Sequence, residues 1–208
     1  QIVSKLIECT KFLHDSIKYC HHDIKPHNVG FNIDKNNEKI VKFIDMGNAK
    51  LIDDTKEGIV LDLLDYTMQY ASFSTMNAIY TNQLRDNWAI ACTIFEIIAG
   101  ISLFHHKSKQ HFLCLVTMIC AFNTEEKIKY ILGYRLNNED GFPILSPYKN
   151  EKDIVSRHLH ISRWLFNNRI KDYPNKEKIK DFLLKSFIQD VNFYNKNATF
   201  GGRTLNYP

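Results

Sequence analysis

The sequence predicts an α+β fold that is mainly α, with a small β-hairpin near its N-terminus. Three observations lead to this prediction. An amphipathic helical pattern opens the chain, two short apolar runs separated by a polar turn follow, and only helical patterns come after a long irregular stretch. Of the 208 residues, 44% are hydrophobic and 24% are charged, which excludes a disordered chain. We expect one domain, or one large part of one.

The first element is an amphipathic helix of about 17 residues. Apolar residues recur at three- and four-residue spacing, at Ile2, Leu6, Cys9, Leu13 and Ile17. Charged residues lie between them, so one face of this helix is expected to be buried.

A polar loop and the hairpin come next. Residues 21–28 read HHDIKPHN, which is too polar for a strand and is interrupted by Pro26. Residues 29–33 and 40–44 are apolar runs on either side of the polar residues 34–38, as in strand, turn and strand. The hairpin is therefore expected to bring its two ends together.

No period holds for long between residues 45 and 84, although 59–64 could form a short helix or strand. So long an irregular segment inside a domain is commonly functional. The helical patterns that follow cover residues 86–100 (apolar on nearly all sides), 110–122, 125–132, 154–166 and 176–191. We predict a domain over residues 1–194 and a tail over 195–208.

Composition and charge exclude several classes of partner. The net charge of +4 is small and evenly spread, so no nucleic-acid partner is predicted. The apolar stretch 88–104 is short for a membrane span and contains Glu96, so it is predicted to be a buried core helix and no membrane partner is expected. The five cysteines form no CxxC pair and are interpreted as buried free thiols in a reducing compartment, which predicts an intracellular, cytoplasmic or nuclear protein. The oligomeric state is left open.

Four polar side chains are expected to meet where the hairpin closes. Asp23, Lys25 and Asn28 lie on the short loop before the hairpin, and Asp45 ends its second strand. Two carboxylates, an amide and an ammonium group in one cleft suit phosphoryl transfer from a magnesium nucleotide. That reaction needs a base, oxygen ligands for the metal and a cation beside the moving charge.

Three motifs in this order resemble the protein kinases. The HHDIKPHN of residues 21–28 resembles the kinase catalytic loop H-R-D-L-K-x-x-N, and the KFIDMG of residues 42–47 resembles the strand that ends in D-F-G. The DNWAIA of residues 86–91 is similar to the D-x-W-x-x-G that opens the central helix of the larger kinase lobe. The fold implied is a protein-kinase-like C-terminal lobe.

The resemblance implies a role for each matching residue. Asp23 would be the catalytic base and Lys25 would steady the γ-phosphate of ATP. Asn28 and Asp45 would hold Mg²⁺, with Gly47 beside them on the nucleotide-binding side. His21 and Asp86 would be structural, with Asp86 holding the catalytic loop through backbone N–H groups.

Two further features bear on the subfamily. Lys25 together with Thr67, three residues before Tyr70, matches the Ser/Thr rather than the Tyr kinases, and Thr67 and Tyr70 are expected on the substrate-binding side. Residues 70–75 read YASFST and are followed by Arg85-Asp86, which resembles the casein-kinase-1 and vaccinia-related kinase group.

The sequence also departs from the kinase pattern. His22 replaces the loop arginine that grips a phosphorylated activation segment, so phosphorylation is not expected to switch this protein. Ser74 replaces a glutamate that normally pairs with an arginine, so that ion pair is expected to be absent. Nothing in residues 1–208 matches the small N-terminal lobe, so we expect that lobe to be absent from this chain and the chain to be a fragment.

The leading interpretation is a Ser/Thr protein kinase that uses ATP and Mg²⁺ and has protein substrates with serine or threonine. Two alternatives are a non-catalytic pseudokinase or lobe-only decoy that binds a partner kinase, and a small-molecule phosphotransferase resembling aminoglycoside and choline kinases. The latter generally lack a lysine at the position of Lys25. A zinc site at His21, His22 and His27 is disfavoured, because their spacing fits no tetrahedral pattern.

Overall fold

The computed structural model describes residues 1–59, 65–100, 102–103, 172–197, 199–200 and 203–204. The chain divides into two compact units, one of residues 1–103 with 185–208 and one of residues 104–184. In the second unit the described residues, 172–184, form a turn and the start of the last helix. All contacts discussed below lie in the first unit. The predicted helices at 110–122, 125–132 and 154–166 lie outside the described residues.

The described elements alternate short strands with helices. The helices are α1 (Ile2–Lys11), α2 (Phe73–Met76), α3 (Gln83–Ala99) and α4 (Lys176–Asn197). The strands are β1 (Tyr19–Cys20), β2 (Val29–Ile33), β3 (Lys39–Phe43), β4 (Lys50–Leu51), β5 (Thr199–Phe200) and β6 (Arg203–Thr204). They pair antiparallel as β1 with β4, β2 with β3 and β5 with β6.

The first helix covers the predicted span but changes form along it. After α1 the chain continues as a wider π-helical turn over Phe12–Ile17 and ends at Lys18, whose φ is 62°. Leu6 and Leu13 are buried as expected, whereas Ile17 is 47% exposed. A π turn advances more residues per turn than an α-helix, so the regular spacing that predicted a buried Ile17 fails there.

The hairpin of β2 and β3 forms close to its predicted position. Val29 pairs with Phe43 and Ile33 with Lys39, so the second strand begins and ends one residue earlier than predicted. In the turn, the Asp34 carboxylate accepts hydrogen bonds from the backbone N–H groups of Asn36 and Glu38. The N–H of Ile44 then donates to the carbonyl of Asn28 at 3.0 Å, which closes the two ends of the hairpin on each other.

The central helix α3 begins at Gln83, three residues before the predicted start, and ends at Gly100 with a φ of 69°. Glycine adopts this left-handed conformation without the steric cost of a side chain, which suits it to end a helix. Trp88 in α3 is fully buried, and its ring contacts that of Phe187 in α4 at a centroid distance of 4.7 Å. In the part of the chain that the structure describes, no helix has the length and apolar character needed to cross a membrane.

The last helix is longer than predicted. It runs to Asn197 rather than to residue 191, and β5 and β6 follow it inside the predicted tail. Tyr194 in the added turns is buried against Ile79, and its ring contacts that of Phe73 at 4.7 Å. These long-range contacts hold residues 192–197 helical, so the boundary predicted at residue 194 falls inside a helix.

Candidate active site

The loop of residues 21–28 is shaped by its own backbone and by one buried carboxylate. Pro26–Asn28 forms a 3₁₀ turn, in which the fixed φ of proline suits the first position, and the Asn28 N–H donates to the carbonyl of Lys25 at 2.9 Å. Asp86 of α3 lies beneath the loop and is fully buried. Its two carboxylate oxygens accept the backbone N–H groups of His21 at 2.7 Å and His22 at 2.8 Å.

His14 is a third partner of Asp86 that sequence reasoning missed. Its Nε2 lies 2.9 Å from Asp86 Oδ2, and the imidazole is buried. Complete burial by itself raises the pKa of Asp86, but the hydrogen bond and charge of His14 and the backbone donors outweigh burial, so the pKa lies below its ordinary value. A signal was present in the sequence, because His14 follows Leu6 by eight residues and Thr10 by four, and all three are buried on one helix face.

His21 fills the space between the loop and the hairpin. It is fully buried, its Nε2 lies 3.2 Å from the carbonyl oxygen of Ile44, and its ring contacts that of Phe43 edge-on. Its Nδ1 lies 3.3 Å from the N–H of Asp23, so the same imidazole touches both parts of the site.

The centre of the site is the carboxylate of Asp23. Its Oδ2 accepts hydrogen bonds from Lys25 Nζ at 2.7 Å and Asn28 Nδ2 at 3.1 Å, and its Oδ1 accepts one from the Thr67 hydroxyl at 2.8 Å. Lys25 Nζ also donates to the Thr67 oxygen at 3.0 Å. Thr67 is thus both a donor to the carboxylate and an acceptor from the ammonium group, so it joins residues 42 positions apart in the chain.

These contacts keep Asp23 ionised. Partial burial raises the pKa of its carboxyl, but the hydrogen bonds from Lys25 and Thr67 outweigh burial and lower the pKa below its ordinary value. At neutral pH the group is a carboxylate and can accept a proton.

The residues predicted to hold a metal ion lie next to the hydrogen bond that closes the hairpin, from the N–H of Ile44 to the carbonyl of Asn28. Asn28 is 5% exposed and donates its amide N–H₂ to the backbone oxygen of Asp23 as well as to the carboxylate, which leaves its amide oxygen as the atom available to a metal. Asp45 is exposed, has a φ of 58° and follows Ile44, the residue bonded to Asn28. An amide oxygen and a carboxylate are ligands that Mg²⁺ prefers, so this pair fits the ion.

Gly47 fits beside Asp45 for a steric reason. The Gly47 N–H donates to Asp45 Oδ1 at 3.4 Å, and a β-carbon added at Gly47 would lie 3.3 Å from the same oxygen. A larger residue there would crowd the carboxylate.

A small cleft in front of Asp23 is bounded mainly by the loop of residues 21–28, the segment around Thr67 and α3. Its lining residues are His22, Asp23, Ile24, Tyr66, Thr67, Tyr70, Ala71, Arg85 and Ala89. Tyr70, predicted on the substrate side, is buried, and its hydroxyl donates to Glu96 at 2.8 Å. Both predicted residues, Tyr70 and Thr67, thus line this cleft.

His22 lies buried next to Asp23. Burial lowers the pKa of its imidazole to about 4, so the side chain is neutral at physiological pH. Its ring contacts that of Tyr80, and its φ of 65° turns the loop sharply before Asp23. A neutral, buried imidazole offers no cation for a phosphate, as the sequence analysis expects.

Ser74 has a different partner from the arginine expected in kinases. Its N–H donates to the carboxylate of Asp190 in α4 at 2.9 Å, and its hydroxyl donates to the Asp190 carbonyl at 3.3 Å. Asp190 is fully buried, and burial raises the pKa of its carboxyl to about 6 despite these bonds. Arg163 and Arg169, two arginines late in the chain, lie outside the described residues.

One cluster of potential metal ligands occurs among the described residues, at His14, Cys20 and Asp86. Asp86 already accepts hydrogen bonds on both oxygens, so the cluster is explained by packing. His21, His22 and His27, which the sequence analysis disfavours as zinc ligands, form no such cluster in the described ranges. Cys9 and Cys20 are free thiols, whereas Cys114 and Cys120 lie outside the described ranges.

Known proteins resemble this chain in sequence and in fold. The family model for the protein kinase domain matches residues 1–192. The chain is 25% identical over 201 residues to the serine/threonine-protein kinase PKH2 of Saccharomyces cerevisiae, a match that covers 91% of this chain and 15% of that protein. It is 27% identical over 201 residues to the serine/threonine-protein kinase PKH1 of the same yeast, covering 91% of this chain and 22% of that protein.

A solved structure shows the same fold. A crystal structure of a kinase domain superposes with a TM-score of 0.50 at 17% identity, and the match covers 92% of this chain and 64% of the other. The chain thus spans 15% and 22% of the two yeast relatives. Neither relative is named as a casein-kinase-1 or vaccinia-related kinase, so that finer resemblance stays a prediction.

Proposed function

Because the chain belongs to the protein kinase domain family, we propose that it carries the catalytic loop of a serine/threonine protein kinase. The reaction is transfer of the γ-phosphate of ATP to a serine or threonine hydroxyl of a protein substrate. The observation that supports this best is the three-way contact between Asp23, Lys25 and Thr67. It brings the proposed base, a cation and the segment that carries Thr67 into direct contact.

Each residue of the site has a chemical task in this proposal. Asp23 accepts the proton of the substrate hydroxyl as the oxygen attacks phosphorus, and its lowered pKa keeps it in the ionised form that this step needs. Lys25 donates from Nζ and places a positive charge beside the phosphoryl oxygens. Thr67 fixes the positions of Lys25 and Asp23 relative to each other through its hydrogen bonds to both.

Asn28 and Asp45 are proposed to hold Mg²⁺. When bound, the ion neutralises charge on the nucleotide phosphates. Asn28 has a second task, since its amide N–H₂ fixes the orientation of the Asp23 carboxylate. Gly47 leaves room for Asp45 to turn toward the metal, because it has no β-carbon to crowd Oδ1.

The Lys25–Thr67 contact also distinguishes the proposal from a small-molecule phosphotransferase. In such an enzyme the lysine two residues after the base is generally absent, whereas here Lys25 is present and bonded on both sides. The complete set of Asp23, Lys25, Asn28 and Asp45 likewise favours an active enzyme over a degenerate one. We further propose an intracellular, cytoplasmic or nuclear location, since the free thiols Cys9 and Cys20 suit a reducing compartment.

Acceptor specificity tests the proposal. The full-length protein is incubated with Mg²⁺ and labelled ATP, and with peptide libraries whose single acceptor is serine, threonine or tyrosine. Small alcohols and aminoglycosides serve as non-protein acceptors. We expect transfer to the serine and threonine peptides. Transfer to the small molecules alone would favour the phosphotransferase, and no transfer to any acceptor would favour the pseudokinase or decoy.

A further inference from the structure

The N-terminal end of helix α3 binds two segments near the site, the loop of residues 21–28 and the segment after the hairpin. Asp86 in its first turn binds the backbone of the catalytic loop. Asn82, immediately before the helix, is 2% exposed and bonds the early part of the segment after the hairpin. Its oxygen accepts the Asp53 N–H at 3.2 Å, its N–H₂ donates to Asp54 at 3.2 Å, and its N–H donates to Glu57 at 3.0 Å.

Arg85 lies between these two residues and connects the loop to the later part of the segment. Its side chain is buried, and one nitrogen, Nη2, donates both to the carbonyl of His22 at 2.8 Å and to the carbonyl of Asp65. His22 directly precedes Asp23, and Asp65 lies two residues before Thr67. One guanidinium thus ties together the backbone on both sides of the Asp23–Thr67 contact.

Burial of the charged Arg85 side chain costs free energy that other contacts must offset. A guanidinium loses its hydration in the interior unless hydrogen bonds and opposite charges replace it. Burial lowers the pKa of Arg85, and the neighbouring charges of Asp86 and Asp23 act in the opposite direction. The charges of these two carboxylates favour the cation, and its hydrogen bonds go to backbone carbonyls.

His22, the residue that precedes Asp23, offers no cation to the segment that carries Thr67, whereas Arg85 does. His22 is neutral and buried, and its Nε2 has no hydrogen-bond partner among the described residues. It therefore supplies no charge to the segment that carries Thr67. In the described part of that segment, the contacts to the end of α3 are made by Asn82 and the side chain of Arg85.

We propose that Arg85 is a positioning residue that fixes Thr67 against Asp23, so that the segment takes up its working arrangement without a phosphate. This inference rests on the proposed function, since the arrangement matters only if Asp23 and Lys25 act on a substrate. Arg85 acts through backbone carbonyls and does not itself contact the substrate hydroxyl in this account.

The test compares Arg85→Met with Arg85→Lys in the full-length protein. Methionine keeps much of the length and removes every donor, whereas lysine keeps one charged nitrogen, and Nη2 alone makes both bonds in the native site. Ile94→Val is the control, because Ile94 is a fully buried residue of α3 that is not among the residues lining the cleft. We expect kcat/KM for a serine peptide to fall roughly 10- to 100-fold in Arg85→Met, as misplacement by about an ångström can cause.

The variants separate positioning from stability. Arg85→Lys is expected to recover much of the lost activity, and Ile94→Val to keep nearly all of it even if its melting temperature falls. Arg85→Met with wild-type kcat/KM would overturn the inference. So would loss of activity in Ile94→Val equal to that in Arg85→Met.

Hydrogen exchange gives a readout that does not depend on catalysis. The N–H groups of Tyr70 and Ala71 donate to the carbonyls of Thr67 and Met68, so their exchange reports the order of this turn. We expect exchange over residues 66–71 to rise roughly tenfold in Arg85→Met and to stay unchanged over 53–57, which Asn82 holds. Equal exchange in both proteins would overturn the inference, whereas a wild-type protein with no phosphotransfer at all would overturn the proposed function instead.

A measurement on the wild-type protein covers the case in which Arg85→Met does not fold. Phosphatase treatment is expected to change neither turnover nor exchange over residues 53–71. A large fall in turnover after treatment, traced to Thr55 or Thr67, would show that a phosphate orders the segment and that Arg85 does not suffice.

Discussion

Thr67→Val tests whether the bridge between Lys25 and Asp23 contributes to catalysis. Valine has nearly the shape of threonine but no hydroxyl, so the substitution removes the bond donated to Asp23 at 2.8 Å and the bond accepted from Lys25 at 3.0 Å. Lys25 and Asp23 still contact each other directly at 2.7 Å, so the net loss is about that of one hydrogen bond to a charged group. Such a bond contributes roughly 1.5–3 kcal/mol, which corresponds to a fall of roughly 10- to 150-fold in kcat/KM.

The same substitution has a pH signature. Thr67 is one of the donors that lower the pKa of Asp23, so its removal raises that pKa. A base acts only when ionised, and activity is lost as the pH falls through its pKa. The acid limb of the kcat/KM profile is therefore expected to move to higher pH in Thr67→Val.

The assay is steady-state phosphorylation of a serine peptide by the full-length protein between about pH 3 and 8, a range that reaches the acid limb of a carboxylate base whose pKa lies below its ordinary value. Thr67→Ser is the matched control, because it keeps the hydroxyl and loses only a methyl group, and it should stay within about threefold of wild type. If Thr67→Val keeps more than half of the wild-type kcat/KM with an unchanged acid limb, the bridge has no part in catalysis and the reasoning is wrong.

Two further predictions concern the metal and the stability of the fold. Asp45→Asn should lower turnover and regain part of it at high Mg²⁺, because an amide is a poorer ligand than a carboxylate; the same loss at every Mg²⁺ concentration would remove Asp45 from the metal site. Asp190 has its pKa raised to about 6, against about 3.9 for an unfolded aspartate, so the folded protein binds the proton more tightly. Its contribution to stability is fully present below about pH 4 and is lost as the pH rises through about 6. The free energy of unfolding of wild type minus that of Asp190→Asn should therefore increase by roughly 2 kcal/mol from pH 7 to pH 4.5, and a constant difference would contradict the raised pKa.

Short-range sequence patterns predicted the parts of the fold that depend on hydrogen bonds between residues close together in the chain. The loop before the hairpin, the hairpin itself and the helix that carries Trp88 were placed to within three residues, because proline, a polar turn and helical spacing act over short distances in the chain. Family membership is confirmed by the match over residues 1–192, and a protein-kinase-like fold is supported by the superposed kinase domain, whereas the assignment to the C-terminal lobe stays a prediction. The roles of Asp23, Lys25, Asn28 and Asp45 remain predictions that the geometry supports.

Contacts between distant residues account for what the pattern missed. Ser74 and Asp190 are 116 residues apart, and no local signal relates them. Phe193 and Tyr194 extend α4 because they pack near Ile79, again far away in sequence. The sequence presents Arg85 only as part of a motif. No short-range sequence pattern predicts that its side chain reaches two backbone carbonyls on other segments.

The most direct test of the central claim is the turnover of Asp23→Asn in the full-length protein. Asparagine keeps the shape of the side chain and can still meet Lys25 and Thr67, but it cannot take the proton of a substrate hydroxyl. The account predicts that phosphorylation of a serine peptide falls by roughly 10²- to 10⁴-fold, while the affinity for Mg²⁺-ATP and the melting temperature stay close to wild type. Turnover above about a tenth of wild type would contradict the assignment of Asp23 as the base.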